Sequence, residues 1–256
     1  MTLLHSRTAK ILKEEPQNEH SNQRFRQNHR RPAGQVGILA NDTIEVHILS
    51  YGATIQQLLV PDRKGNKVDV VLGYPTVQDY ELNTCFLGAV VGRYANRIGG
   101  SKFTLYEEEY HVTPNEGKNC LHSGLHGFDK TVFDMGFEGD DTLVLTAASP
   151  DGTDGFPGNA ELEVRYSLAG TGLMIQYTLT TDAPTVANIT NHSYFNLNGH
   201  ASGSVLGHRL SLDAPAYLET DAGSIPTGRK IAVAGTPMDL PRKRPLAAIS
   251  TPITRP

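Results

Sequence analysis

Ala160-Glu161-Leu162-Glu163-Val164-Arg165-Tyr166-Ser167-Leu168 leads through Gly170-Thr171-Gly172 into Leu173-Met174-Ile175-Gln176-Tyr177-Thr178-Leu179. Apolar and polar side chains alternate on both sides of the glycine-bracketed turn. A period of two places Ala160, Leu162, Val164, Tyr166 and Leu168 on one face of a strand, with Leu173, Ile175, Tyr177 and Leu179 on one face of the strand that returns. The stretch therefore predicts a β-hairpin whose apolar face meets a core.

The same period appears elsewhere. Ile44, Val46 and Ile48 alternate with polar partners, Gly52 interrupts them, and Leu58-Leu59-Val60 runs through the turn-like Pro61 to Asn66 into Val68 to Leu72. Phe103 and Leu105, then Tyr110 and Val112, flank Glu107-Glu108-Glu109 in the manner of a hairpin, and Leu210 and Leu212 mark a strand near Pro215. The 25 glycines and 15 prolines punctuate many short runs, and no run of ten or more residues keeps a helical period. An all-β sandwich is expected.

The chain of 256 residues, 38% hydrophobic and 20% charged, has globular composition and could form one large all-β domain or two smaller ones. Its net charge of -4 offers no concentrated basic face, which argues against nucleic acid as a partner. Cys85 and Cys120 stand apart without a Cys-x-x-Cys, and no apolar run reaches the length of a signal core or a membrane span. A reducing, cytoplasmic compartment is expected, where Asn41-Asp42-Thr43, Asn188-Ile189-Thr190 and Asn191-His192-Ser193 escape glycosylation.

Residues 1–34 are polar and basic, with Arg24, Arg26, Arg30 and Arg31, and suggest a disordered leader; Glu14, Glu15 and Glu19 argue against a transit peptide. Residues 35–241 carry the strand pattern. Residues 242–256, with Arg242-Lys243-Arg244-Pro245, Pro252 and Pro256, suggest a solvated basic tail in which the prolines exclude a central strand.

Thr190-Asn191-His192-Ser193-Tyr194-Phe195-Asn196-Leu197 sets a histidine among polar and aromatic residues, a composition suited to gripping a polar ring. Histidine titrates near neutrality, so a positioned one can give a proton and take it back. The same residues also suit a histidine that only hydrogen-bonds its neighbours. His122 and His126 are four apart, but Ser123 and Gly124 between them point to a loop rather than a helical metal pair. No Gly-x-Ser-x-Gly elbow, phosphate loop or dinucleotide glycine pattern occurs, and Asp151 to Asp154 lacks the later Glu of a calcium loop.

The octet resembles the signature of the aldose 1-epimerases, or galactose mutarotases, and companion segments follow in that family's order. They are Gly92-Arg93-Tyr94-Ala95-Asn96-Arg97-Ile98, Asn119-Cys120-Leu121-His122 with Gly127-Phe128-Asp129-Lys130, Ser149-Pro150-Asp151-Gly152 through Gly155-Phe156-Pro157-Gly158, Ile225-Pro226-Thr227-Gly228, and Gly235-Thr236-Pro237-Met238-Asp239-Leu240. The resemblance covers about residues 35 to 241 and implies the large antiparallel sandwich of mutarotases.

It further implies interconversion of the α and β anomers of a hexose such as galactose or glucose. One acid protonates the ring oxygen and one base deprotonates the anomeric hydroxyl. In this reading His192 is the acid, His122 donates to the sugar close by, Asn96 and Arg97 fix ring hydroxyls, and Tyr194 contributes a backbone or aromatic contact. Arg97 could instead only tie strands together, His122 cap a loop, and Asn96 hold a turn. No cofactor, metal or membrane partner is implied, and the complete form would be a monomer. The family's later Gly-(Phe/Tyr)-Asp-His-Asn segment and its Glu-Thr-Gln-like segment, which carries the base, do not occur here. The expectation is a truncated sandwich missing its last strands. An inert sugar-binding remnant and a hexose-6-phosphate 1-epimerase stand as alternatives.

Overall fold

The computed structural model describes residues 10–11, 34–82, 84–240 and 244–248. Most of the leader expected over residues 1–34, and of the tail expected over 242–256, lies outside the described residues. The chain divides into two compact units, residues 1–195 and 196–256.

The first unit opens with β1 (Lys10–Ile11), β2 (Val36–Ala40), β3 (Glu45–Leu49), β4 (Thr54–Pro61) and β5 (Lys67–Asp69), antiparallel neighbours in sequence order. One short helix, α1 (Val77–Leu82), follows. Short strands come next: β6 (Val90–Val91), β7 (Arg97–Ile98), β8 (Lys102–Leu105), β9 (Glu108–His111) and β10 (Cys120–Leu121). A four-stranded antiparallel sheet is built from β11 (Asp134–Glu138), β12 (Thr142–Ser149), β13 (Ala160–Ala169) and β14 (Gly172–Thr181), and β15 (Thr190–Asn191) then returns to pair with β6.

The hairpin forms as its alternation predicts. Leu162 lies opposite Leu179, Val164 opposite Tyr177, Tyr166 opposite Ile175 and Leu168 opposite Leu173. The turn is shorter than expected, because Gly172 already pairs with Ala169; Gly170 supplies the left-handed backbone with φ +58°. Leu162, Val164 and Tyr166 are wholly buried, whereas their partners on β14 are only half-buried.

The apolar faces of the two larger sheets share one core. Leu39, Val46 and Ile48 from the first sheet cluster with Leu143, Leu145, Leu162, Val164 and Tyr166 from the second, which makes the architecture an all-β sandwich. Gly37 marks a close approach of the two layers, since a Cβ there would lie 2.6 Å from Leu143 Cδ2. Each fully buried Leu or Val contributes about 1.5–3 kcal/mol of transfer free energy. The face is set by β-strand period alone, and no helix among the described residues is long and apolar enough to cross a membrane.

In the second unit, β16 (Arg209–Leu210) pairs with β19 (Arg244–Pro245), and β17 (Ala216–Thr220) forms a hairpin with β18 (Pro226–Ala232). The strand expected around Leu210 and Leu212 is shorter than its apolar pattern implied. Leu212 lies outside it and donates its N–H to Leu240 O at 2.8 Å. The tail contributes more than solvated chain: Arg244–Pro245 pairs with Arg209–Leu210, a ladder short enough to tolerate a proline that has no N–H to donate. The His208 ring accepts the Leu197 N–H at 2.8 Å through Nε2 and donates through Nδ1 to Val205 O at 2.9 Å, which folds the segment after the octet onto itself.

Candidate functional site

His192 is placed by backbone rather than by its own ring. Its N–H donates to Ala89 O at 2.8 Å, and its carbonyl accepts the Gly88 N–H at 3.3 Å, just beyond the β6–β15 ladder. The residues beside it reinforce this seat: Asn191 Nδ2 donates to Gly88 O at 2.8 Å, Asn191 Oδ1 accepts the Ser193 N–H at 2.9 Å, and Tyr194 O accepts the Leu72 N–H at 2.9 Å. Gly88 has φ +68°, and a Cβ there would stand 2.1 Å from Ile55 O. Only glycine permits the close approach on which the His192 seat rests.

A second seat holds His122. β7 pairs with β10, so Arg97 lies opposite Leu121 and Asn96 comes beside His122. Asn96 O accepts the His122 N–H at 3.0 Å, and the Asn96 N–H donates to His122 Nδ1 at 2.9 Å. Both residues take left-handed backbone, φ +67° at Asn96 and +51° at His122. Because Nδ1 accepts, the proton of the neutral ring sits on Nε2, which is left to donate. Burial first, and then the charges of His192, Arg97 and Lys130, pull the His122 pKa down to about 4. His122 is a neutral donor at neutral pH.

The two seats bring the imidazoles edge to face, with centroids 5.2 Å apart at 88°. Phe86, itself at φ +56°, packs on both, 4.6 Å from His122 and 5.7 Å from His192. Tyr194 lies 5.3 Å from the His192 ring. Lys130 Nζ stands 5.6 Å from the centre of the Phe86 ring and pairs with Asp129 at 2.8 Å. Asp129 is buried, and the loss of water around it raises its carboxyl pKa in spite of that lysine.

Two arginines of one segment are used differently. Arg97 clasps Glu116 with Nε at 2.5 Å and Nη2 at 2.7 Å, and reaches Asn96 Oδ1 with Nη1 at 3.2 Å. Arg93 is 2% exposed and donates to Ser149 Oγ at 3.0 Å, Ser149 O at 2.6 Å, Pro150 O at 2.9 Å and Pro157 O at 2.9 Å. It thereby ties the Ser149–Pro157 loop to the segment that carries Asn96 and Arg97. Burial lowers the Arg93 pKa, and Asp151 and Asp182 oppose the shift from a distance.

The arrangement offers a fixed Nε2–H donor, a neighbouring imidazole that no described residue hydrogen-bonds through its ring, and an arginine with donors to spare. Such a set can grip vicinal hydroxyls and exchange a proton with an oxygen between the rings.

The aldose 1-epimerase family profile matches residues 36–251. The chain belongs to the aldose 1-epimerase family. It is 42% identical over 207 residues to the galactose mutarotase of Sus scrofa, covering 79% of this chain and 59% of that protein. It is 38% identical over 200 residues to the aldose 1-epimerase of Escherichia coli strain K12, covering 78% of this chain and 58% of that protein. Among solved structures it resembles the aldose epimerase homologue from C. elegans with TM-score 0.80 and 31% identity, over 85% of this chain and 67% of the other. The chain thus spans about three-fifths of the length of the first two relatives.

Within this family member the five residues singled out from sequence form one connected cluster. Tyr194 touches His192, His192 touches His122, His122 is clasped by Asn96, and Asn96 meets Arg97. His126 stands apart, 75% exposed on a loop, with its ring 3.3 Å from Asp154. Four residues of the neighbourhood carried no assignment from sequence: Phe86, Glu116, Lys130 and Arg93. Lys130 and Arg93 lie inside quoted motifs, which is a usable signal. Phe86 and Glu116 join the cluster only through folding.

Proposed function

We propose that this chain binds a free hexose between His122 and His192 and serves the interconversion of its α and β anomers, as the names of its mutarotase relatives suggest. His192 donates a proton to the ring oxygen, His122 hydrogen-bonds the sugar through Nε2–H, Asn96 and Arg97 take ring hydroxyls, and Tyr194 packs beside the ring. The observation that carries this reading is the pair of imidazoles at 5.2 Å, one held as a neutral donor and the other without a described hydrogen-bond partner for its ring.

The cations nearby favour a neutral sugar over a hexose phosphate. Arg97 is paired with Glu116, Lys130 with Asp129, and Arg93 is spent on Ser149, Pro150 and Pro157. A phosphate would need a cation that these carboxylates and carbonyls already occupy. The same pairing favours one further reading, hexose binding without turnover. Ring opening also needs a base, and around the histidines Glu116 grips Arg97 while Asp129 is buried on Lys130.

Polarimetry with freshly dissolved α-galactose, run beside NMR titration with methyl β-galactoside, tests both. Accelerated equilibration that falls by about 10²–10⁴ in His192→Ala supports the acid role. Binding without acceleration supports the second reading. A chain that neither binds the galactoside nor speeds equilibration would sink the hexose assignment.

A further inference from the structure

In the Arg97–Glu116 fork, Glu116 is the partner to which the sugar chemistry gives no role. Glu116 takes Nε and Nη2 of the guanidinium side-on, Asn96 Oδ1 takes Nη1, and of the five N–H donors of an arginine two therefore have no partner among the described residues. An arginine without such a partner samples many rotamers, whereas a bidentate carboxylate fixes its plane. The carboxylate also offsets part of the charge that Arg97 brings to the neighbourhood of His122.

We propose that Glu116 is a positioning and specificity-determining residue: by orienting Arg97 and neutralising it, Glu116 fits the site to uncharged hexoses and excludes sugars bearing a carboxylate. The inference rests on the hexose reading above and adds a residue that acts through Arg97. In Glu116→Gln one acceptor remains, but the amide NH2 opposes an arginine N–H, so the fork loosens and the positive charge stands uncancelled.

Isothermal titration of the full chain with methyl β-galactoside, which cannot open its ring, and with the matching methyl galacturonide reads both effects. Glu116→Gln is expected to weaken the galactoside roughly three- to tenfold and to strengthen the galacturonide by a similar factor, as suits a partly exposed pair. An unchanged ratio of the two affinities would overturn the proposal, because a merely structural residue moves both ligands together. If the wild-type chain binds neither glycoside, the hexose reading fails, and the fork is judged by NMR. Loss of the slowly exchanging Arg97 Nε–H signal in Glu116→Gln then upholds the orientation, and its persistence refutes it.

Discussion

Across the β12–β13–β14 sheet, Leu143, Leu145, Leu162 and Val164 have no exposed surface and hold their places by packing against the opposite layer. Around the histidines the ladders are only two residues long, and the chain is held instead by single polar contacts such as Asn191 to Gly88, Asn96 to His122 and Arg93 to Ser149. Packing spreads its free energy over many weak contacts, so one deletion costs in proportion to volume. A buried polar group concentrates it, because removing one partner leaves the other without water or bond. Substitutions in the two regions should therefore differ in size for different reasons.

The largest effect tests that difference directly. Arg93→Ala would strip donors from the carbonyls of Ser149, Pro150 and Pro157 at once, and is expected to cost about 5 kcal/mol. Leu162→Ala in the sheet is expected to cost about 3 kcal/mol. Urea denaturation of both variants at pH 7.5 gives the comparison. If Arg93→Ala proves the milder of the two, the site loops are held by packing after all.

The two regions also differ in how far sequence reveals them. β13 and β14 are legible because side-chain alternation is a property of the strand itself and needs no partner. His192, His122, Asn96, Arg97 and Tyr194 are legible only through ordered motifs, since nothing local in those residues says that they meet. Contacts made across long chain separations are not legible at all: Arg93 reaches Ser149 across 56 positions, and Arg97 reaches Glu116 across 19. Gly88, two residues after Phe86, illustrates the limit. Its need for a side chain of no size comes from Ile55 O, which belongs to β4, more than thirty positions earlier.

A smaller effect comes from pH. The folded state holds the His122 pKa at about 4, against 6.5 for a free histidine, so between those values the unfolded chain binds a proton that the folded chain refuses. Stability from this group is complete above the unfolded pKa, declines as pH falls, and levels off below the folded pKa. Wild type should lose about 2 kcal/mol more than His122→Asn between pH 7.5 and pH 5. Asparagine suits the control because its Oδ1 takes the place of Nδ1 as acceptor for the Asn96 N–H while removing the titration. Equal pH slopes for the two proteins would mean that the ring is protonated in the fold and that the Asn96 clasp is not held in solution.

The smallest effect sits where the regions join. Tyr166 lies on the fully packed side of the sheet, yet its hydroxyl donates to Ala53 O at 2.6 Å, beside the turn that leads to Gly52 and thence to Val90. Tyr166→Phe keeps the ring and its packing but leaves the Ala53 carbonyl without that donor, a loss of about 1–2 kcal/mol. If packing and single polar contacts act as separate supports, hydrogen exchange should quicken at Val90 and His192, whose N–H groups donate to Gly52 O and Ala89 O, while the amides of β13 stay protected. The reasoning is local: a lost donor frees the backbone that it held, and the sheet retains every apolar contact of the phenyl ring. Equal quickening along β13 and at His192 would break the comparison, because it would mean that sheet and site loops open as one unit and that the histidine seats draw their stability from the core rather than from their own hydrogen bonds.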